Sequence, residues 1–226
     1  MSSQRFNSER FLTLLDYLGN ELDPSILIGG WATQLRVGGE ISYDIDLIIN
    51  SPNLRNRLRE LMPDFSESNH LGGTKKVRGT ISEIHIDAYL PHESTLGRRL
   101  RLDVAKLAKH IENERVKGWQ LLTLEAHLIT KFAALLDRPD SEKGAKDARE
   151  VFALLDKNPN ESDAIAIFID AATLQPHEIP SLVEEIFLLL PDRVTANKEQ
   201  RRKLHNLRRT WVDEAERQVR RLAQGS

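Results

Sequence analysis

Apolar positions recur along this chain in two rhythms, one helical and one alternating. Phe11, Leu12, Leu15 and Leu18 return on one face of a helix, with Asn7 or Ser8 placed to cap it. The rhythm then shortens. "LDPSILIGG" reads as a turn, a short buried strand and a stop: Pro24 favours the break, β-branched Ile26 and Ile28 favour the strand, and Gly29 and Gly30 end it. A short helix follows from Trp31 to about Val37, "GGE" turns the chain, and "YDIDLII" is a second strand. "SPNLRNRLRELM" opens a helix with Ser51 as N-cap and Pro52 at the first helical position. "SNHLGGTKKVRGT" reads as a turn-rich hairpin region. "SEIHIDAYL" alternates, with Ile84, Ile86 and Ala88 on one face and His85, Asp87 and Tyr89 on the other.

Beyond "PHEST" the helical period dominates. Residues 103–111 read as one helix, "WQLLTL" as a short strand, and 125–137 and 143–156 as two further helices. The composition shift at Asn158–Ser162 predicts a linker. After it, "DAIAIFIDAATL", "IPSLVEEIFLLL" and a basic stretch read as a helical tail. No internal repeat or low-complexity tract interrupts the pattern.

Composition narrows the classes. The chain has 226 residues, 40% hydrophobic and 29% charged, which suits a soluble globular protein of one large domain or two small ones. Cysteine is absent, so disulfides and thiolate metal sites are excluded. The N-terminal stretch mixes charges into its apolar pattern, so no signal peptide is expected. No window approaches the ~18 consecutive apolar residues of a membrane span. The expected location is cytoplasmic. The net charge of −2 hides an asymmetry: Asn197 to Arg221 holds nine Lys/Arg against four Asp/Glu, a net of +5, leaving −7 on the rest. Such a basic end points weakly to nucleic acid; a solvated amphipathic helix is the plainer reading.

The chemistry gathers around Asp44, Asp46 and Asp87. Residues i and i+2 of a strand share a face, with Cβ atoms roughly 6–7 Å apart. Two carboxylates so placed repel unless a cation lies between them, and hard oxygen ligands suit Mg²⁺. Asp87, on the polar face of the later alternating strand, supplies a third carboxylate. Such a set holds two metal ions, one lowering the pKa of an attacking hydroxyl and the other steadying a leaving pyrophosphate. Gly29 and Gly30 let backbone N–H groups approach phosphate oxygens, and the helix after them aims its positive end at the same charge. His85 shares the face of Asp87, where an ordinary polar role suffices. No H-E-x-x-H pair, Ser/His/Asp order or P-loop is present.

"GGWAT…SYDIDLII" followed by "IHIDAYL" resembles the nucleotidyltransferase fold of the DNA polymerase β superfamily. "TLEAHLITKFAALLDRPDSEKGAKDAREVFALL" resembles the AbiEii and MenT group of bacterial toxin nucleotidyltransferases, on Glu125, Lys131, Arg138, Lys146 and Asp147. Together the two resemblances cover residues 24–156. They imply an α+β protein: a nucleotidyltransferase core of mixed sheet and flanking helices over 1–100, a helical segment completing the NTP site over 101–157, and a helical C-terminal region over 158–226. They further imply that Lys131 contacts the triphosphate, that Asp147 helps position it or a basic partner, and that Arg138 and Lys146 line the nucleotide. The group carries Ser or Thr after the glycines; this chain has Trp31, so phosphate binding falls to the backbone, Thr33 or Ser42.

Lys131 also has a case of its own. It shares a helix face with Leu135 and Arg138 beside a buried stripe, so its charge needs a partner: a triphosphate, or an ion pair with Glu125 or Asp137. The implied activity is transfer of a nucleoside monophosphate from an NTP to RNA, at a tRNA 3′ end. It would use two Mg²⁺ or Mn²⁺ ions and belong to the toxin of a type IV-like system with a cognate antitoxin. Arg78 and the "KKVRG" segment are further candidates for phosphate contact. The alternatives are a small-molecule or protein acceptor, or a nucleotidyltransferase-fold binding module without turnover.

Overall fold

The computed structural model describes residues 2–70 and 74–225. In chain order the elements are α1 (Ser2–Glu21), β1 (Ile26–Ile28), α2 (Gly29–Val37), β2 (Asp44–Ile48), α3 (Pro52–Leu61), β3 (Ser66–His70), β4 (Thr74–Ile81) and β5 (Ile84–Tyr89). There follow β6 (Thr95–Leu96), β7 (Leu102–Asp103), α4 (Val104–Leu107), β8 (Gln120–Leu121), α5 (Leu124–Asp137), α6 (Glu142–Leu155), α7 (Glu161–Ala171), α8 (Ile179–Arg193) and α9 (Lys198–Gly225). The class is α+β, a mixed sheet flanked by helices with a helical C-terminal part, as the sequence predicts. Two compact units divide the chain: Met1–Thr95 with Val104–Thr123, and Leu96–Asp103 with Leu124–Ser226.

The first unit is built on a six-stranded sheet in the order β3-β4-β5-β2-β1-β8. β2 runs parallel to β5 and antiparallel to β1, and β8 runs parallel to β1. β4 is antiparallel to both β3 and β5. One face is core: Leu27, Ile45, Leu47, Val77, Ile86 and Ala88 bury there with the apolar stripe of α1 and with Leu54 and Leu58 of α3. Phe11 of α1 stacks on Trp31 of α2, ring centroids 5.5 Å apart. Trp31, which stands where the resembled group has a hydroxyl, is therefore a core residue. Ser51 caps α3 by accepting from the Leu54 N–H, with Pro52 in the first turn.

Four expectations shift. α1 begins at Ser2, so Asn7 and Ser8 lie inside it; no Pro or Gly stops the helix from growing back past them. α2 begins at Gly29 rather than Trp31. Of residues 103–111 only Val104–Leu107 is helical, because Glu112 N–H donates to Leu121 and Thr123 N–H to His110, which draws the chain into extended pairing. Asn158–Ser162 is no linker: Asn160 caps α7, its side chain accepting from the N–H groups of Ser162 and Asp163, inside the second unit. The "LGG" turn expected between β3 and β4 lies outside the described residues.

In the second unit α5 contributes the most enclosed helix, and an aromatic cluster of Phe132, Phe187 and Trp211 joins α5, α8 and α9 with centroids 5.7–6.3 Å apart. Ser141 caps α6. Asp137, at the end of α5, accepts from the N–H groups of Arg98 and Arg99.

Candidate active site

β2 reads Asp-Ile-Asp-Leu-Ile. Its alternation sends Ile45 and Leu47 into the core and leaves Asp44 and Asp46 on the other face, partly exposed. The parallel pairing of β2 with β5 sets Asp46 directly beside Asp87 and Asp44 beside His85. In a parallel ladder such partners project to the same side, so three carboxylates share one face of two neighbouring strands. Repulsion among them must be offset locally, and the structure shows how for each.

Asp46 is seated against the start of α2. Gly29 has φ +69°, and a Cβ built on it would lie 2.2 Å from Asp46 Oδ2. Glycine is thus required twice, for its left-handed backbone and for the room the carboxylate occupies. The seat also places a negative charge at the positive end of a nine-residue helix. Asp44 is held by Ser42, whose hydroxyl donates to its Oδ1 at 2.6 Å. Thr33 is buried and its hydroxyl donates to the Gly29 carbonyl at 3.1 Å. Ser42 thus orients a carboxylate, and Thr33 bonds within the first turn of α2.

Asp87 meets two cations from β4. Arg78 is its register partner and donates through Nε at 2.8 Å and through the guanidinium tip at 3.3 Å. Lys76, two residues back on the same face, donates at 2.5 Å and lies 5.4 Å from the Tyr89 ring centroid. Burial pushes the Asp87 carboxyl upward, but the Arg78 and Lys76 bonds outweigh it and hold it below the usual carboxylate range. Tyr89 stands on the same face, two residues after Asp87. Burial raises its phenol well above ordinary, and Asp46 and Asp87 add to the rise.

The donor set suits a hard divalent cation in chemistry, register and face. The side chains themselves are not gathered on one: among the described residues no group of three acidic or histidine side chains is arranged to hold a metal ion. Asp87 is engaged by Lys76 and Arg78.

The residues singled out further along fall in the second unit. Lys131 is 6% exposed, and its Nζ lies 2.5 Å from Glu150 Oε2 and 3.8 Å from Asp147 Oδ1. Asp147 accepts from Arg138 Nε at 2.7 Å, and Lys146 lies 3.8 Å from Glu150. The five form an ion network between α5 and α6. Lys131 pairs with neither Glu125 nor Asp137: Glu125 accepts from the Asn160 N–H at 2.8 Å, and Asp137 binds the backbone already described. Glu150 escaped the sequence reading, although its spacing from Asp147 and Leu154 puts it on the buried face of α6. Lys76 escaped too as a partner of Asp87. The signal was the alternation of "KKVRG", in which Lys76 and Arg78 flank the core residue Val77.

No family model matches the chain, and no curated protein does. Solved structures do. A nucleotidyltransferase-like antigenic protein of Paracoccidioides brasiliensis matches with 19% identity over 75% of this chain and 90% of its own, TM-score 0.42. ANT(2″)-Ia in complex with adenylyl-2″-tobramycin matches with 13% identity over 72% and 96%, TM-score 0.47. The CCA-adding enzyme of Thermotoga maritima, complexed with tRNA, matches with 11% identity over 88% of this chain and 57% of that one, TM-score 0.31. No helix among the described residues is long and apolar enough to cross a membrane.

Proposed function

We propose that this chain transfers a nucleoside monophosphate from an NTP to an acceptor hydroxyl. One observation carries the reading: Asp46 stands in register beside Asp87, with Asp44 two residues along, on the strand face where Asp46 seats against the opening of α2 at Gly29. In this reading Asp44, Asp46 and Asp87 hold Mg²⁺ or Mn²⁺. When bound, those ions supply charge neutralisation at the transferred phosphate and a lowered pKa for the acceptor hydroxyl. The chain's own groups do the rest. Ser42 fixes Asp44 in direction. The opening of α2 at Gly29 and Gly30 offers backbone N–H groups to a phosphate oxygen. Arg78 and Lys76 supply mobile positive charge on the same face.

The acceptor we favour is RNA. Arg202, Arg209, Arg220 and Arg221 are exposed on α9, in the stretch carrying +5. Following the AbiEii and MenT resemblance, the RNA would be a tRNA 3′ end and the protein the toxin of a pair restrained by an antitoxin. Lys131 is not assigned to the triphosphate, since withdrawing it would leave the buried Glu150 with only the more distant Lys146. The engagement of Asp87 by two cations favours a second reading, a nucleotide-binding module without turnover.

Incubation of the purified protein with each radiolabelled NTP, Mg²⁺ and total tRNA separates the readings. Label on tRNA that vanishes with Asp46→Ala supports the proposal. NTP consumption only with a small acceptor assigns another substrate class, and activity equal to that of Asp46→Ala leaves the binding module.

A further inference from the structure

β4 brings two cations to a single carboxylate. Lys76 and Arg78 project to the aspartate face, in register with Tyr89 and Asp87. Both bond Asp87, Lys76 through Oδ2 and Arg78 through both oxygens. At the outer edge of the same sheet the balance differs: Arg55 is shared by Glu67 and Glu93, and Glu93 also meets Lys75. Asp87 takes two cations, and Lys76 bonds it while 9% exposed. While both cations bond it, Asp87 is not free to ligate a metal ion; an anion that competes for them would free it. Arg78 and Lys76 share the face that carries Asp46 and Asp87, where a polyphosphate would lie in the proposed reading.

We infer that Lys76 and Arg78 are exchangeable cations, which hold Asp87 until a nucleotide polyphosphate draws them off and thereby free Asp87 to ligate the divalent ion. The inference rests on the metal and nucleotide reading of this face. It makes the two ligands mutually dependent: polyphosphate raises the affinity for metal, and by linkage metal raises the affinity for polyphosphate by the same factor. It also assigns Lys76 and Arg78 different anchors. The Lys76 ammonium also lies 5.4 Å from the Tyr89 ring centroid, whereas Arg78 is the more exposed of the two.

The test is Mn²⁺ binding followed by electron paramagnetic resonance, with no nucleotide present. Lys76→Met and Arg78→Gln each remove the charge and keep an unbranched stem. Each is expected to bind Mn²⁺ about tenfold more tightly than the unaltered chain, the size set by removing a unit charge roughly 6 Å from a divalent ion in a water-like dielectric. Arg78→Lys, which keeps the charge, stays near the parent value. Tripolyphosphate without metal binds each charge-removing variant more weakly by a similar factor. Circular dichroism confirms that the variants fold, and a rise in melting temperature on adding Mn²⁺ gives an independent measure of the same affinity. If Asp46→Asn weakens Mn²⁺ binding while Lys76→Met and Arg78→Gln leave it unchanged, the exchange is overturned and the metal reading survives. If Asp46→Asn leaves Mn²⁺ binding unaltered, the metal reading fails and takes the exchange with it.

Discussion

At Gly29 a single missing methyl serves both backbone and chemistry. Alanine there would strain a positive φ by about 1–2 kcal/mol and collide with Asp46. Gly29→Ala is therefore expected to lower the melting temperature by several degrees and reduce nucleotidyl transfer on the order of 100-fold, read by calorimetry and by the labelled-tRNA assay. Lys131 makes the opposite case. It meets Glu150 as a close ion pair without aligned hydrogen bonds, inside α5 and α6. Lys131→Met keeps most of the volume and leaves Glu150 and Asp147 short of a cation, so urea unfolding is expected to show a loss of about 3–5 kcal/mol, largely restored by adding Glu150→Gln. Unchanged stability with lost transfer would instead return Lys131 to the nucleotide. Asp87 carries a pH signature. Its folded pKa lies below the ordinary 3.8, so its stabilisation is complete above that value and is lost as pH falls through the folded pKa. Melting temperatures taken from pH 6 downward should fall below about pH 4, and less steeply for Asp87→Asn.

At the scale of elements, the turn into α7 separates two readings of the same letters. "NPNES" has the composition of a linker, yet Asn160 closes the first turn of α7, and its own N–H is taken by Glu125. Asn160→Ala should cost about 1 kcal/mol in chemical denaturation, whereas a linker residue would cost nothing. The strands β2 and β5 were legible because each alternates within a few residues, and the cap at Ser51 because it is wholly local. The stretch after Val104 was not, since its helical spacing yields to pairing with a strand ten or more residues away. The acidic face was legible from Asp44 and Asp46 on one strand and the parity of Asp87 on another. The grip of Lys76 and Arg78 on Asp87 was not, because it depends on which strand lies beside β5, and nothing in a single strand states its neighbour.

At the scale of the molecule, charge is unevenly spread: +5 between Asn197 and Arg221 against −7 elsewhere. If α9 tracks an RNA backbone, replacing Arg202, Arg209 and Arg220 by Gln should weaken tRNA binding across sequences alike. It should also flatten the slope of log K against log salt by about two units, given ~0.7–0.9 per phosphate contact. An unchanged slope would mean that α9 only faces water. The parallel seam between β2 and β5 reaches further. A slip of one residue along it would turn Ile84 and Ile86 out to water and drive His85 and Asp87 into the apolar layer. Greasy and acidic positions therefore proofread one another, and a chain that has buried its oil correctly has, by that act alone, already lined up its acids.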